Sequence, residues 1–159
     1  MEEQRLNDAE GGRSSVPGLS AEQLQKLLTL IKTSKASCDK LSGTSEWLLD
    51  SGASFHMTRE FSKLARTYDD HPIIVNMPNG QHSIATKHGI VQLNSNIILR
   101  DVLYVPDLNC NLISIVHLIN ELFCTVIFTH KLCVIQDHST RRPIGVGEQR
   151  REVFFLKDI

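Results

Sequence analysis

Hydrophobic and polar positions change their period along the chain, and each change predicts an element. Residues 1–19 hold Glu, Gln, Asn, Asp, Arg and Ser with Gly11-Gly12 and Val16-Pro17-Gly18. So little apolar surface predicts a disordered tail. From Ser20 the period becomes helical: Leu24, Leu27, Leu28 and Ile31 recur on one face, and Ser20 with Gln23 forms a capping-box pair. A short amphipathic helix over about 20–34 follows, with a linker up to residue 45. From Glu46 onward short apolar runs lie between turn residues, which predicts a mainly β domain. The expected strands are 46–49, 54–58, 73–77, 82–86, 89–93, 97–105, 123–128, 132–136 and 153–156. Asn79-Gly80 between two of these runs is a strong two-residue hairpin signal, because both central positions of a type I′ turn take positive φ. Leu112, Ile115, Val116, Ile119 and Leu122 stand at helical spacing and predict one helix between 111 and 122.

Composition narrows the function classes. The chain has 159 residues, 17 Lys+Arg against 18 Asp+Glu, and a formal net charge of -1. That is one ordinary domain without the basic footprint of a nucleic-acid binder or of a protein bound to an anionic membrane. No apolar run approaches the roughly 20 residues that cross a bilayer. Cys38, Cys110, Cys124 and Cys133 show neither a Cys-x-x-Cys pair nor a dense disulfide spacing, which predicts reduced thiols in a cytoplasmic compartment.

The chemistry-bearing run is Trp47-Leu48-Leu49-Asp50-Ser51-Gly52-Ala53-Ser54. An apolar strand would deliver the Asp50 carboxylate rigidly, Gly52 permits a sharp turn, Ala53 leaves room for a neighbouring chain, and the Ser51 hydroxyl can both donate and accept. With Phe55-His56-Met57-Thr58 after it, this run resembles the catalytic loop of copia-type retrotransposon proteases. The later segments Asn79-Gly80, Asp101 to Leu108, Asn111-Leu112-Ile113-Ser114 and Val116-His117-Leu118 are similar to further landmarks of that family in the same order.

The resemblance implies a retropepsin-like closed β-barrel, one acid-protease half, over residues 46–147, with one short helix and a flexible or helical linker before it. Residues 148–159 would be a final strand or the beginning of the following polyprotein region. It further implies an aspartic endopeptidase that cuts polyprotein junctions as a homodimer in the cytoplasm or in virus-like particles, with no cofactor and no metal. No second Asp-Ser/Thr-Gly exists in the sequence, so one chain supplies one catalytic carboxylate, Asp50. Ser51, Gly52 and Ala53 would support the loop. Met77, Pro78, Asn79 and Gly80 would form a flap over an extended peptide of the parent polyprotein. The segment Asn111 to Ser114 and its helix would pack behind the catalytic loop.

Plainer readings compete at several positions. An aspartate in Asp-Ser-Gly commonly caps a turn. His56 lacks a partner at a recognisable spacing and reads as a strand or groove-facing side chain. Cys124, His130, Cys133 and His138 have poor zinc spacing. Arg141-Arg142 and Arg150-Arg151 read as solvated turn and edge charges. The alternative function is an inactive, element-derived module that dimerises or binds peptides.

Overall fold

The computed structural model describes residues 16–33, 45–77 and 80–157. The helix α1 spans Ala21–Thr33, and its start is the predicted capping box: Ser20 N–H donates to Gln23 Oε1 at 2.9 Å, and Gln23 N–H to Ser20 Oγ at 3.2 Å. Ten strands follow: β1 Trp47–Asp50, β2 Met57–Thr58, β3 Arg66–Asn76, β4 His82–Gln92, β5 Ile98–Tyr104, β6 Asn111–Ser114, β7 Cys124–Phe128, β8 Leu132–Asp137, β9 Pro143–Arg150 and β10 Val153–Lys157. A short 3-10 turn (Phe61–Lys63) and the helix α2 (Ile115–Leu122) interrupt them.

All ten strands belong to one sheet in the order β3-β4-β5-β2-β6-β1-β10-β9-β8-β7. The protein is therefore mainly β. The expected closed barrel is corrected: among the described residues the pairings run from one edge, β3, to another, β7, and do not join into a ring. The central strand β1 pairs parallel with β6 and antiparallel with β10. Residues 153–157 are thus built into the middle of the sheet beside β1.

Three apolar clusters hold the layers together, and strand alternation sorts residues among them. Trp47 and Leu49 of β1 and Ile113 of β6 enter the first core with Leu99, Leu118 and Ile135. Leu112 of β6 points the other way, into a second core with Ala53, Met57, Met77, Leu103 and Cys110, and Leu48 packs against that core. The pair β1 and β6 thereby separates the two cores. On β8, Cys133 and Ile135 face the first core, while Leu132 and Val134 face a third cluster covered by Val16, Leu19 and the Leu24, Leu27 and Leu28 side of α1. Double coverage explains why β8 is buried along nearly its whole length.

Several expectations change. Val16 and Leu19 are buried, and Gln136 Nε2–H donates to the Pro17 carbonyl at 2.8 Å, so the last residues of the predicted tail pack onto the sheet. Two expected strands, 82–86 and 89–93, are one: Gly89 reads as punctuation, yet its bare Cα lets the neighbouring strand approach. A Cβ there would meet the Arg66 carbonyl oxygen at 2.1 Å. Gly145 and Gly147 hid β9 in the same way; a Cβ on Gly147 would lie 2.5 Å from Cys133 Sγ. The predicted helix over 111–122 divides at Ser114, because its first four residues pair with β1 instead. Of its apolar set, Ile115 is buried, whereas Val116 and Ile119 are exposed.

Candidate active site

Asp50 is the last residue of β1, and its ladder partner on β6 is Ser114. Strand pairing on both sides of β1 carries the carboxylate to the point where the two cores part. There the chain bends: Asp50 Oδ1 accepts the Gly52 N–H at 2.8 Å. A Cβ on Gly52 would sit 3.3 Å from that same oxygen, so glycine leaves the carboxylate room to take the amide. Ser51 and Gly52 are exposed, whereas Ala53 anchors the loop in the second core.

Two buried polar residues of β6 fasten the outgoing chain. Ser114 Oγ–H donates to the Ala53 carbonyl at 2.7 Å, and Ser114 N–H donates to His56 Nδ1 at 3.0 Å. The same hydroxyl caps α2 by accepting the His117 N–H at 3.3 Å. At the other end of β6, Asn111 uses every hydrogen-bonding site of its amide. Its Oδ1 accepts Thr58 Oγ1–H at 2.8 Å and Arg59 N–H at 3.1 Å. Its Nδ2 donates to the Ser45 carbonyl at 3.1 Å and to Glu60 Oε1 at 3.3 Å. A fully satisfied buried amide fixes one arrangement, because any slip strands several polar groups away from water. The start of β1 is also tied: Arg150 Nη2 lies 2.6 Å from Glu46 Oε1, and its guanidinium sits 4.4 Å from the Phe155 ring centroid. Arg150 is therefore not the solvated edge charge expected of it.

The hairpin of β3 and β4 stands beside this loop. Met77 is buried in the core that holds Ala53, while Gly80 is exposed at φ +80. Met77 N–H donates to the Gln81 carbonyl at 2.8 Å, and Gly80 N–H donates to the Met77 carbonyl at 2.9 Å. The two-residue turn expected at Asn79-Gly80 involves residues outside the described set, which omits Pro78 and Asn79. Ser83 Oγ–H donates to Asp107 Oδ2 at 3.1 Å and tethers β4 to the segment that follows β5.

The three described cysteines offer no ready nucleophile. Burial pushes the Cys133 thiol up to about 12 and Cys124 up to about 11, and burial with the nearby Asp50 charge raises Cys110. All three are free thiols, and Cys38 lies outside the described residues. Among the described residues, no group of three or more His, Cys, Asp or Glu is arranged to hold a metal ion.

Asp50, Ser51, Gly52 and Ala53 lie in one loop, and the segment Asn111 to Ser114, expected behind it, supplies fasteners whose hydrogen bonds the sequence does not announce. His56 is 1% exposed and faces Ser114, not a groove. The particular hydrogen bonds of Asn111 and Ser114 had no local signal beyond the polar side chains in an apolar run.

Strand end, bent carboxylate loop and buried fasteners thus define a mainly β domain built around a displayed Asp-Ser-Gly-Ala segment. Residues 47–123, from β1 through α2, match the family described as the β-barrel domain of the Pol polyprotein. The chain is 33% identical over 116 residues to the retrovirus-related Pol polyprotein from transposon RE2 of Arabidopsis thaliana, covering 68% of this chain and 8% of that protein. It is 30% identical over 121 residues to the counterpart from transposon RE1 of the same plant, covering 70% of this chain and 8% of the relative. The protein is homologous to a short stretch of retrotransposon Pol polyproteins, spanning 8% of the length of these curated relatives. No solved structure matches it significantly.

Proposed function

We propose that this domain is an aspartic endopeptidase that works as a homodimer on junctions of its parent polyprotein, with the two copies of Asp50 activating a water. One observation carries the reading: Asp50 ends a doubly paired strand and is followed by the exposed Ser51 and Gly52, in a loop that buried side chains hold in place. Hydrolysis of a peptide by carboxylates needs two of them, one as general base and one protonated to polarise the carbonyl. Like charges held that close resist double ionisation, so a two-fold pair keeps one proton and titrates as a unit. Because the sequence contains one Asp-Ser-Gly, the second carboxylate comes from a second copy, and a two-fold axis beside Ser51 supplies it with matching geometry. Ser51 would then bond the opposing loop, and residues 77–80 would close over the substrate and exclude water. Residues 16–33 and 148–157 pack with residues 46–147, and both segments would travel with the enzyme.

A second reading draws on the long exposed edge strand β3. An open edge can take an extended peptide as an added strand without any chemistry, as in an element-derived binding module.

Peptides from the parent polyprotein, incubated with the full chain, separate the two. Cleavage is expected in wild type and abolished in Asp50→Ala, which removes only the Gly52 contact and should fold. Specific activity should fall on dilution through the dimer dissociation range. Cleavage that survives in Asp50→Ala overturns the mechanism. Activity per chain that stays constant at every concentration overturns the dimer, and peptide binding without any cleavage selects the module.

A further inference from the structure

His56 is the most deeply buried titratable side chain near Asp50, and the chemistry above leaves it unused. Its ring is 1% exposed. Nδ1 lies 3.0 Å from the Ser114 N–H and accepts from it, so the ring proton must sit on Nε2. Nε2 faces Glu121 Oε2 at 3.5 Å, and that same carboxylate oxygen accepts the Arg100 N–H at 3.3 Å. The ring of His117 lies edge-on at 5.7 Å. The backbone of His56 is also engaged, its carbonyl accepting Leu103 N–H at 2.9 Å.

The partner matters more than the burial. Ser114 is the ladder partner of Asp50, and it grips the outgoing loop twice, at the Ala53 carbonyl through Oγ and at His56 through its amide. One residue of β6 thereby sets both the strand that ends in Asp50 and the chain that leaves it. Without an acceptor at Nδ1, the buried Ser114 amide would have to find another partner, and turning toward one would drag the Ala53 contact and the Asp50 bend with it.

We propose that His56, as its neutral Nε2–H tautomer, is a positioning residue that holds the Asp50 carboxylate in its reactive orientation by acting through Ser114. The proposal rests on the protease reading for its catalytic consequence, and its geometric content can be measured without turnover.

Nitrogen NMR of the full chain should show Nδ1 of His56 unprotonated and Nε2 protonated; a proton on Nδ1 overturns the proposal. In His56→Phe, which keeps a ring but removes the acceptor, the amide signals of Ser114 and Gly52 should both shift. In His56→Asn, whose side-chain oxygen falls near the position of Nδ1, both should return toward wild type. If the phenylalanine variant does not fold, His56→Gln, whose amide reaches toward the Nε2 end instead, replaces it. In the peptide assay, kcat should fall on the order of 100-fold in His56→Phe with KM held within about twofold, and largely recover in His56→Asn. Asparagine and phenylalanine variants that behave alike, or a Gly52 signal indifferent to both, overturn the positioning role. A wild-type chain that shows the expected tautomer and amide shifts but never cleaves peptide refutes the protease reading and leaves the loop geometry standing.

Discussion

The Asp50 loop and the β3–β4 hairpin share the second core, yet they are held by opposite means. The loop is fastened by side chains: Ser114, Asn111 and His56 are each 1% exposed or less, Ser114 and Asn111 bond the segment between Ala53 and Glu60, and His56, within that segment, accepts the Ser114 amide. The hairpin is held by backbone pairing, by a buried row of Val75, Met77 and Ala85, and by peripheral side-chain ties such as Ser83 to Asp107, with much of its other face in solvent. Ile74 and Ile84, cross-strand partners, are 72% and 60% exposed. The β3–β4 register also shifts between Asp69 and Ile73. A buried side-chain network tolerates one geometry, whereas a ladder with one wet face opens at lower cost. That is the division of labour the proposed protease would use, with a fixed carboxylate beside a less firmly held hairpin.

The comparison can be broken first at Gly89, where the hairpin does depend on a single atom's absence. Gly89→Ala should cost about 4 kcal/mol or more, because the atom in the way is the Arg66 backbone oxygen and cannot rotate aside. Urea denaturation measures it, and a loss below about 1 kcal/mol would mean that β3 is free to move away from β4.

Asn111→Ala tests the other side. It leaves Thr58 Oγ1, the Arg59 N–H and the Ser45 carbonyl without their buried partner, and about 3 kcal/mol of stability should disappear. The loop should also loosen, with faster amide exchange at Arg59 in the variant than in wild type.

The smallest effect belongs to the exposed hairpin surface. Hydrogen bonding to the Lys87 ammonium, with its charge close by, holds the Asp69 carboxyl below its ordinary range. A carboxyl lowered in the folded state contributes stability above its unfolded value, and that contribution fades as pH falls through the folded value. Asp69→Asn should therefore be marginally less stable than wild type at neutral pH, and the difference should vanish in acid. Thermal melts across the acid range follow it, and a difference that grew in acid would contradict the pairing.

Much of this was legible along the chain. The capping box at Ser20 and Gln23 closes as the local pattern says, and the apolar runs from Trp47, Ile98 and Leu132 become strands. Asp50 to Ala53 form a single turn in which the carboxylate accepts the Gly52 amide, and glycine keeps that contact uncrowded. The hydrogen-bond partners of His56 and Asn111 were not legible, since each lies more than fifty residues away and no window of sequence contains both.

The sequence by itself determined the local elements and the Asp-Ser-Gly-Ala turn, because periods of 2 and 3.6, caps and turns depend on neighbours within a few residues. Tertiary structure alone decided that β6 runs parallel beside β1 and not as the first turn of a helix, that Gly145 and Gly147 lie inside a strand, and that the sheet keeps two edges among the described residues. Each of those outcomes is a competition between distant segments for the same backbone hydrogen bonds and the same apolar volume. Such a competition is settled only when the whole chain is packed.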